Sequence, residues 1–169
     1  LLSFKGHFFG DGSFLGRSID PLHPALFPST KLEAPTDDNY EKILIQVEVK
    51  LKMQNFLGIF VEPISSISLR KTPYKFLQEL RILATKYSTP LIYNETSSSF
   101  YRYSDLFYAS LDPNLTPDAL MNYYGGQAGM VGLNPHYFME TPLMLISTWD
   151  GDEFSFLRQE RSLLSFDKN

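Results

Sequence analysis

Three short stretches hold the polar groups that could do chemistry. Glu62-Pro63 closes one apolar run, Asn94-Glu95-Thr96-Ser97 closes another, and the loop Tyr123 to Gly129, with its Gly125-Gly126 pair, follows a third. A carboxylate at such a place can move protons, or it can simply cap backbone N–H groups. A glycine pair can let backbone approach a phosphate, or it can make a turn. His7, His23 and His136 are scattered, without ligand spacing or acidic neighbours, so the sequence offers no metal site. Asn94-Glu95-Thr96 and Asn114-Leu115-Thr116 fit the glycosylation sequon, a match short enough to arise by chance.

Those groups need elements to position them. Leu1 to Lys5 reads as a short buried strand closed by Gly6. Asp20 to Pro35, with Pro21, Pro24, Pro28 and Pro35, predicts an irregular excursion rather than an element. Thr36 to Met53 carries two patterns. Tyr40, Ile43, Leu44, Val47 and Leu51 fit a helical face, whereas Ile45, Val47, Val49, Leu51 and Met53 alternate as in a strand. Length and the Thr36-Asp37-Asp38 start favour a helix. Leu57 to Val61 is a buried parallel strand by type. Thr72-Pro73 starts a helix whose apolar face is Phe76, Leu77, Leu80, Leu83, Ala84 and Tyr87. Strands follow at Leu91 to Tyr93, Ala119 to Tyr123, Met130 to Leu133 and Leu143 to Ser147, with a closing helix at Phe154 to Leu164. This alternation predicts one α/β domain over 1–169, a three-layer α/β/α arrangement around a mostly parallel sheet.

Composition narrows the class. At 169 residues the chain suits a single domain. A hydrophobic share of 43% with 20% charged residues excludes a disordered chain, and no apolar run could span a bilayer. The net charge of -4 argues against nucleic acid. With no cysteine there is no disulfide framework and no thiolate zinc site. The Leu1-Leu2-Ser3 start reads as a strand entered in mid-protein, so the chain is expected to be a fragment of a longer protein; a cytoplasmic location is a separate expectation.

Several stretches resemble, in order, the large domain of class III pyridoxal-phosphate aminotransferases, a fold type I group. Leu2 to Gly10 is similar to the family strand ending aromatic-His-Gly, with Phe8 as the aromatic and Phe9 where histidine is usual. Phe60-Val61-Glu62-Pro63-Ile64 resembles the Glu-Pro strand end, without the Gln-Gly-Glu-Gly-Gly continuation. Phe76-Leu77-Gln78-Glu79-Leu80-Arg81 resembles the Phe-Leu-x-x-Leu-Arg helix. Asn94 to Arg102 follows Asp-Glu-Val-Gln-Thr-Gly-Phe-Gly-Arg, with Glu95, Phe100 and Arg102 in register. Pro117-Asp118 matches the family's Pro-Asp, and Ser147 to Asp152 resembles Thr-Phe-x-Gly-Asn. The resemblance covers nearly all of this chain. The family's phosphate-binding loop and small domain have no counterpart in it.

The resemblance implies a cofactor pocket of Phe8, Phe9, Asn94, Ser97, Tyr124 and Thr148, with pyridoxal phosphate as its cofactor. It also implies what has changed. Asn94 stands for the Asp that pairs with the pyridinium nitrogen, and Ser97 for the Gln on the ring hydroxyl. Tyr124 stands for the Schiff-base lysine; Lys86 and Lys168, the nearest lysines, are far off in sequence. Tyrosine forms no imine, so the cofactor is not expected to be bound covalently and no catalytic residue is expected. The reading that follows is a non-catalytic structural or dimerisation module, forming a homo-oligomer or packing on other domains of its parent protein. The alternatives are an aminotransferase completed by residues elsewhere, and a small-molecule site in the remodelled pocket.

Overall fold

A computed structural model describes residues 1–10, 27–53, 55–103, 106–123, 129–141 and 152–166. Six strands form one sheet: β1 (Leu2–Phe4), β2 (Thr30–Leu32), β3 (Ile59–Val61), β4 (Leu91–Asn94), β5 (Ala119–Tyr123) and β6 (Gly129–Leu133). Their spatial order is β2-β1-β3-β4-β5-β6. The first five are parallel, and β6 runs antiparallel to β5. The mostly parallel α/β sheet expected from the sequence is present.

Helix α1 (Tyr40–Met53) resolves the ambiguous segment. Ile43, Val47 and Leu51 are buried, whereas Ile45, Val49 and Met53 are 65%, 47% and 74% exposed. The 3.6-residue period therefore sets this segment's conformation, and three of the five alternating residues face water. Helix α2 (Tyr74–Lys86) buries Phe76, Leu77, Leu80 and Ala84 completely. Together α1 and α2 cover the sheet face that carries Leu2, Phe4, Ile59, Val61, Leu91 and Tyr93. Each such side chain contributes about 1.5–3 kcal/mol on burial. On the opposite face Leu1, Phe9 and Phe60 form a smaller cluster against Ile92 and Met121. Helix α3 (Glu153–Phe166) ends the described chain. Among the described residues no helix is long and apolar enough to cross a membrane.

One expectation is corrected. Asp20 to Pro35 is not wholly irregular, because Thr30–Leu32 is strand β2. It pairs in parallel with β1, Leu2 opposite Thr30 and Phe4 opposite Leu32. A three-residue edge strand carries too little pattern to announce itself, and Pro28 and Pro35 sit outside it, as an edge position permits. The strand expected at Leu143 to Ser147 lies outside the described residues.

Two residues from the aligned motifs hold the amino ends of the strands. Arg81 on α2 pairs with Asp118 at 2.8 Å, and the same carboxylate oxygen accepts the Leu91 N–H at 2.8 Å. The pair ties α2 to the starts of β4 and β5, far from the strand ends where chemistry would occur.

Candidate active site at the strand ends

Parallel sheets bind ligands beyond the carboxyl ends of their strands. Here a cavity of about 470 Å³ lies at that edge, between the chain leaving β1 and the ends of β4, β5 and β6. Phe8, Phe9, Asn94, Thr96, Met121 and Tyr123 are among its lining residues. Phe8, Phe9 and Asn94 thus line one cavity. Ser97 is not among the lining residues; its hydroxyl lies 2.8 Å from that of Ser66. Tyr124 and Thr148 lie outside the described residues, as does the Gly125-Gly126 pair.

Asn94 ends β4 with both halves of its amide engaged. Its Nδ2 donates to the Phe8 carbonyl at 2.7 Å and to Glu62 Oε1 at 3.2 Å. Its Oδ1 accepts from the Thr96 N–H at 3.1 Å and the Thr96 hydroxyl at 2.7 Å. Turning the amide over would set oxygen against a carbonyl and a carboxylate, so these partners fix its orientation. The engaged, buried amide also makes Asn94 a poor glycan acceptor.

Glu62 is the hub of this arrangement. Its carboxylate accepts the Phe8 N–H at 3.0 Å, the Ser66 N–H at 3.1 Å, the Ser66 hydroxyl and the Asn94 amide. Burial pushes its carboxyl pKa up, and the Ser66 and Phe8 hydrogen bonds pull the other way. Glu95, also fully buried, faces elsewhere. It accepts the N–H groups of Tyr108 at 2.6 Å and Ala109 at 2.9 Å and the Ser98 hydroxyl at 3.1 Å. It caps the 3-10 turn Tyr108–Leu111, and burial raises its pKa as well. Of the two strand-end carboxylates, one holds the pocket wall and the other holds a turn.

His7 gave no motif, yet it is only 4% exposed. Its Nδ1 accepts the Glu62 N–H at 3.0 Å, joining the ends of β1 and β3. Burial, with the Lys31 charge in support, depresses its pKa to about 4. A histidine depressed from 6.5 contributes stability that is complete above pH 6.5 and is lost as pH falls towards 4, about 3 kcal/mol in all. The raised carboxyls of Glu62 and Glu95 act with the opposite sign, so wild-type stability alone conceals the histidine. His7→Asn keeps an acceptor near Nδ1 and removes the titration. The difference in stability between wild type and variant, from urea unfolding, is expected to narrow steadily from pH 7 to pH 4. A difference that stays constant across that range would refute the assignment.

Pyridoxal phosphate, which the family resemblance implies, asks for an acidic partner to its ring nitrogen. Among the described residues no carboxylate lines the cavity, Asn94 has its amide engaged elsewhere, and the oxygens of Glu62 are already taken. The described lining does not fit a protonated pyridine nitrogen.

No known family pattern and no curated protein matches the sequence. Solved structures do match the fold. A variant of Rv3290c from M. tuberculosis is 20% identical with a TM-score of 0.81, covering 99% of this chain and 44% of that chain. An (S)-enantioselective omega-transaminase from Thermomicrobium roseum is 17% identical with a TM-score of 0.80, covering 96% of this chain and 43% of that one. An ornithine aminotransferase from Plasmodium yoelii is 17% identical with a TM-score of 0.51, covering 72% and 25%. At these identities the likeness is one of fold, and this chain spans less than half the length of the proteins it matches. The chain therefore shares the fold of these structures, an omega-transaminase and an ornithine aminotransferase among them, over the part of their length that these residues span.

Proposed function

We propose that this chain is an aminotransferase-like domain without aminotransferase activity, acting as a structural or dimerisation module. The observation that carries this reading is the Asn94 amide, which is held by Phe8, Glu62 and Thr96 where the related fold has an acid. Tyr124 at the lysine position in the sequence supports it. The surface is compatible with a binding role. Tyr123, Val131 and Leu133 share one face of the β5–β6 pair and are all exposed, which suits a second copy or another domain of a parent protein.

A second reading, reversible binding of a small planar molecule, is favoured by the cavity itself, with Phe8, Phe9 and Tyr123 on its wall. Purified protein incubated with pyridoxal phosphate and then borohydride separates the readings by intact mass and visible absorbance. No reduced adduct and no retained absorbance is the expected result. Absorbance lost on dialysis supports the second reading. A reduced covalent adduct overturns both and supports an enzyme whose lysine lies outside the positions considered.

A further inference from the structure

The sheet has two edges, and they are guarded differently. β2 is three residues long with Lys31 at its centre, and a short strand and a lysine both blunt an edge. β6, Gly129-Met130-Val131-Gly132-Leu133, is five residues long and holds no charged residue and no proline. Its Val131 and Leu133 are exposed.

The ladder shows which backbone groups of β6 stand open. The Asn134 N–H reaches the Asp118 carbonyl at 2.8 Å, and the Glu95 N–H reaches the Met121 carbonyl at 2.8 Å. Leu120 and Asn122 of β5 therefore face β6, while Ala119 and Met121 face β4. With Leu120 opposite Gly132 and Asn122 opposite Met130, alternation turns Met130 and Gly132 towards β5. The N–H and C=O groups of Gly129, Val131 and Leu133 are left pointing outwards, and among the described residues nothing pairs with them.

This edge fits itself. Laid antiparallel on a second β6 about a two-fold axis through Val131, it sets Gly129 opposite Leu133, Met130 opposite Gly132 and Val131 opposite Val131 of the other copy. Every outward group of both copies then has a partner. Leucine and methionine each face a glycine, and no like charges meet although the whole chain carries -4. Gly132 is already required inside the chain, because a Cβ there would come within 3.2 Å of Leu120. Gly129 is not: its backbone is not left-handed, and a Cβ would meet nothing closer than the Asn122 carbonyl at 3.4 Å. Its place opposite Leu133 of a second copy gives that glycine a use.

We infer that two copies of this chain associate through their β6 edges, antiparallel and centred on Val131, into one continuous sheet. The inference rests on the dimerisation reading above and names its seam. The test is light scattering and sedimentation of the purified chain and of two variants. Val131→Pro removes only an N–H that faces away from β5, so the β5–β6 ladder stays whole while the seam loses its central bonds. Wild type is expected to be a dimer, and Val131→Pro a monomer that still unfolds cooperatively. Val131→Cys serves as a second measurement that needs no proline to be tolerated. The chain has no cysteine, so this thiol is unique. Opposed Cα atoms in a hydrogen-bonded pair lie about 5.5 Å apart, within reach of a short bis-maleimide. Val131→Cys should cross-link to a covalent dimer under conditions where Ile82→Cys, on the exposed side of α2, does not. A dimer that persists in folded Val131→Pro, or one that Val131→Cys fails to cross-link, overturns the seam and leaves the dimerisation reading standing. A monomeric wild type overturns both.

Discussion

Asn94→Asp, the change that restores the residue usual in the aminotransferase motif, is expected to destabilise this protein by about 3 kcal/mol at pH 8. The new carboxylate would lose two donated hydrogen bonds. It would instead set its oxygens against the Phe8 carbonyl, now 2.7 Å away, and against Glu62 Oε1 at 3.2 Å. Two carboxylates at that separation cannot both ionise cheaply, so one keeps its proton well above its ordinary range. The sign follows from that. A carboxyl raised in the folded state costs nothing at a pH below its unfolded value, and its penalty grows as pH rises through the folded value. Denaturant unfolding should therefore show wild type and variant close together near pH 4 and far apart at pH 8. Adding Glu62→Gln should recover much of the loss, because the new amide can donate to Asp at 94. Equal stability of Asn94→Asp and wild type at pH 8 would show that the amide is not held as described. The same network explains why restoring one residue is not expected to restore cofactor binding: the neighbours of Asn94 are arranged for an amide.

Glu95→Ala is expected to cost about 4 kcal/mol, a large part of the 5–15 kcal/mol that holds a typical domain together. The carboxylate closes the N–H groups of Tyr108 and Ala109 inside the protein, and alanine would leave both without an acceptor. Glu95→Gln should recover part of this, since its one oxygen can serve one of the two N–H groups. Thermal unfolding of both variants checks the ranking. A Glu95→Ala protein within 1 kcal/mol of wild type would mean that water reaches the turn and that Glu95 is free for another task. This prediction separates two meanings of a matched motif. Glu95, Arg81 and Asp118 all keep register with the aminotransferase pattern, and all three brace the fold rather than a reacting atom.

The sequence by itself determined the kinds of the longer elements and their order. The face of α2 was legible because Phe76, Leu77, Leu80 and Ala84 repeat at the period of a helix, and burial follows local period. The short apolar runs Leu57 to Val61 and Leu91 to Tyr93 read as strands, the first as a parallel one because both of its faces must be covered, and strands stand there at Ile59–Val61 and Leu91–Asn94. The resemblance implied a pocket that includes Phe8, Phe9 and Asn94, and these three line one cavity in the structure. What only the tertiary structure decided is what each polar group does there. Asn94 is engaged by a carbonyl 86 residues away, His7 by an N–H 55 residues away, and Ser97 turns to Ser66. Strand β2 exists because β1 lies beside it, not because of its own three residues. A side chain's periodicity is written into its neighbours in sequence. Its hydrogen-bond partners come from other strand ends, and only the fold brings those together.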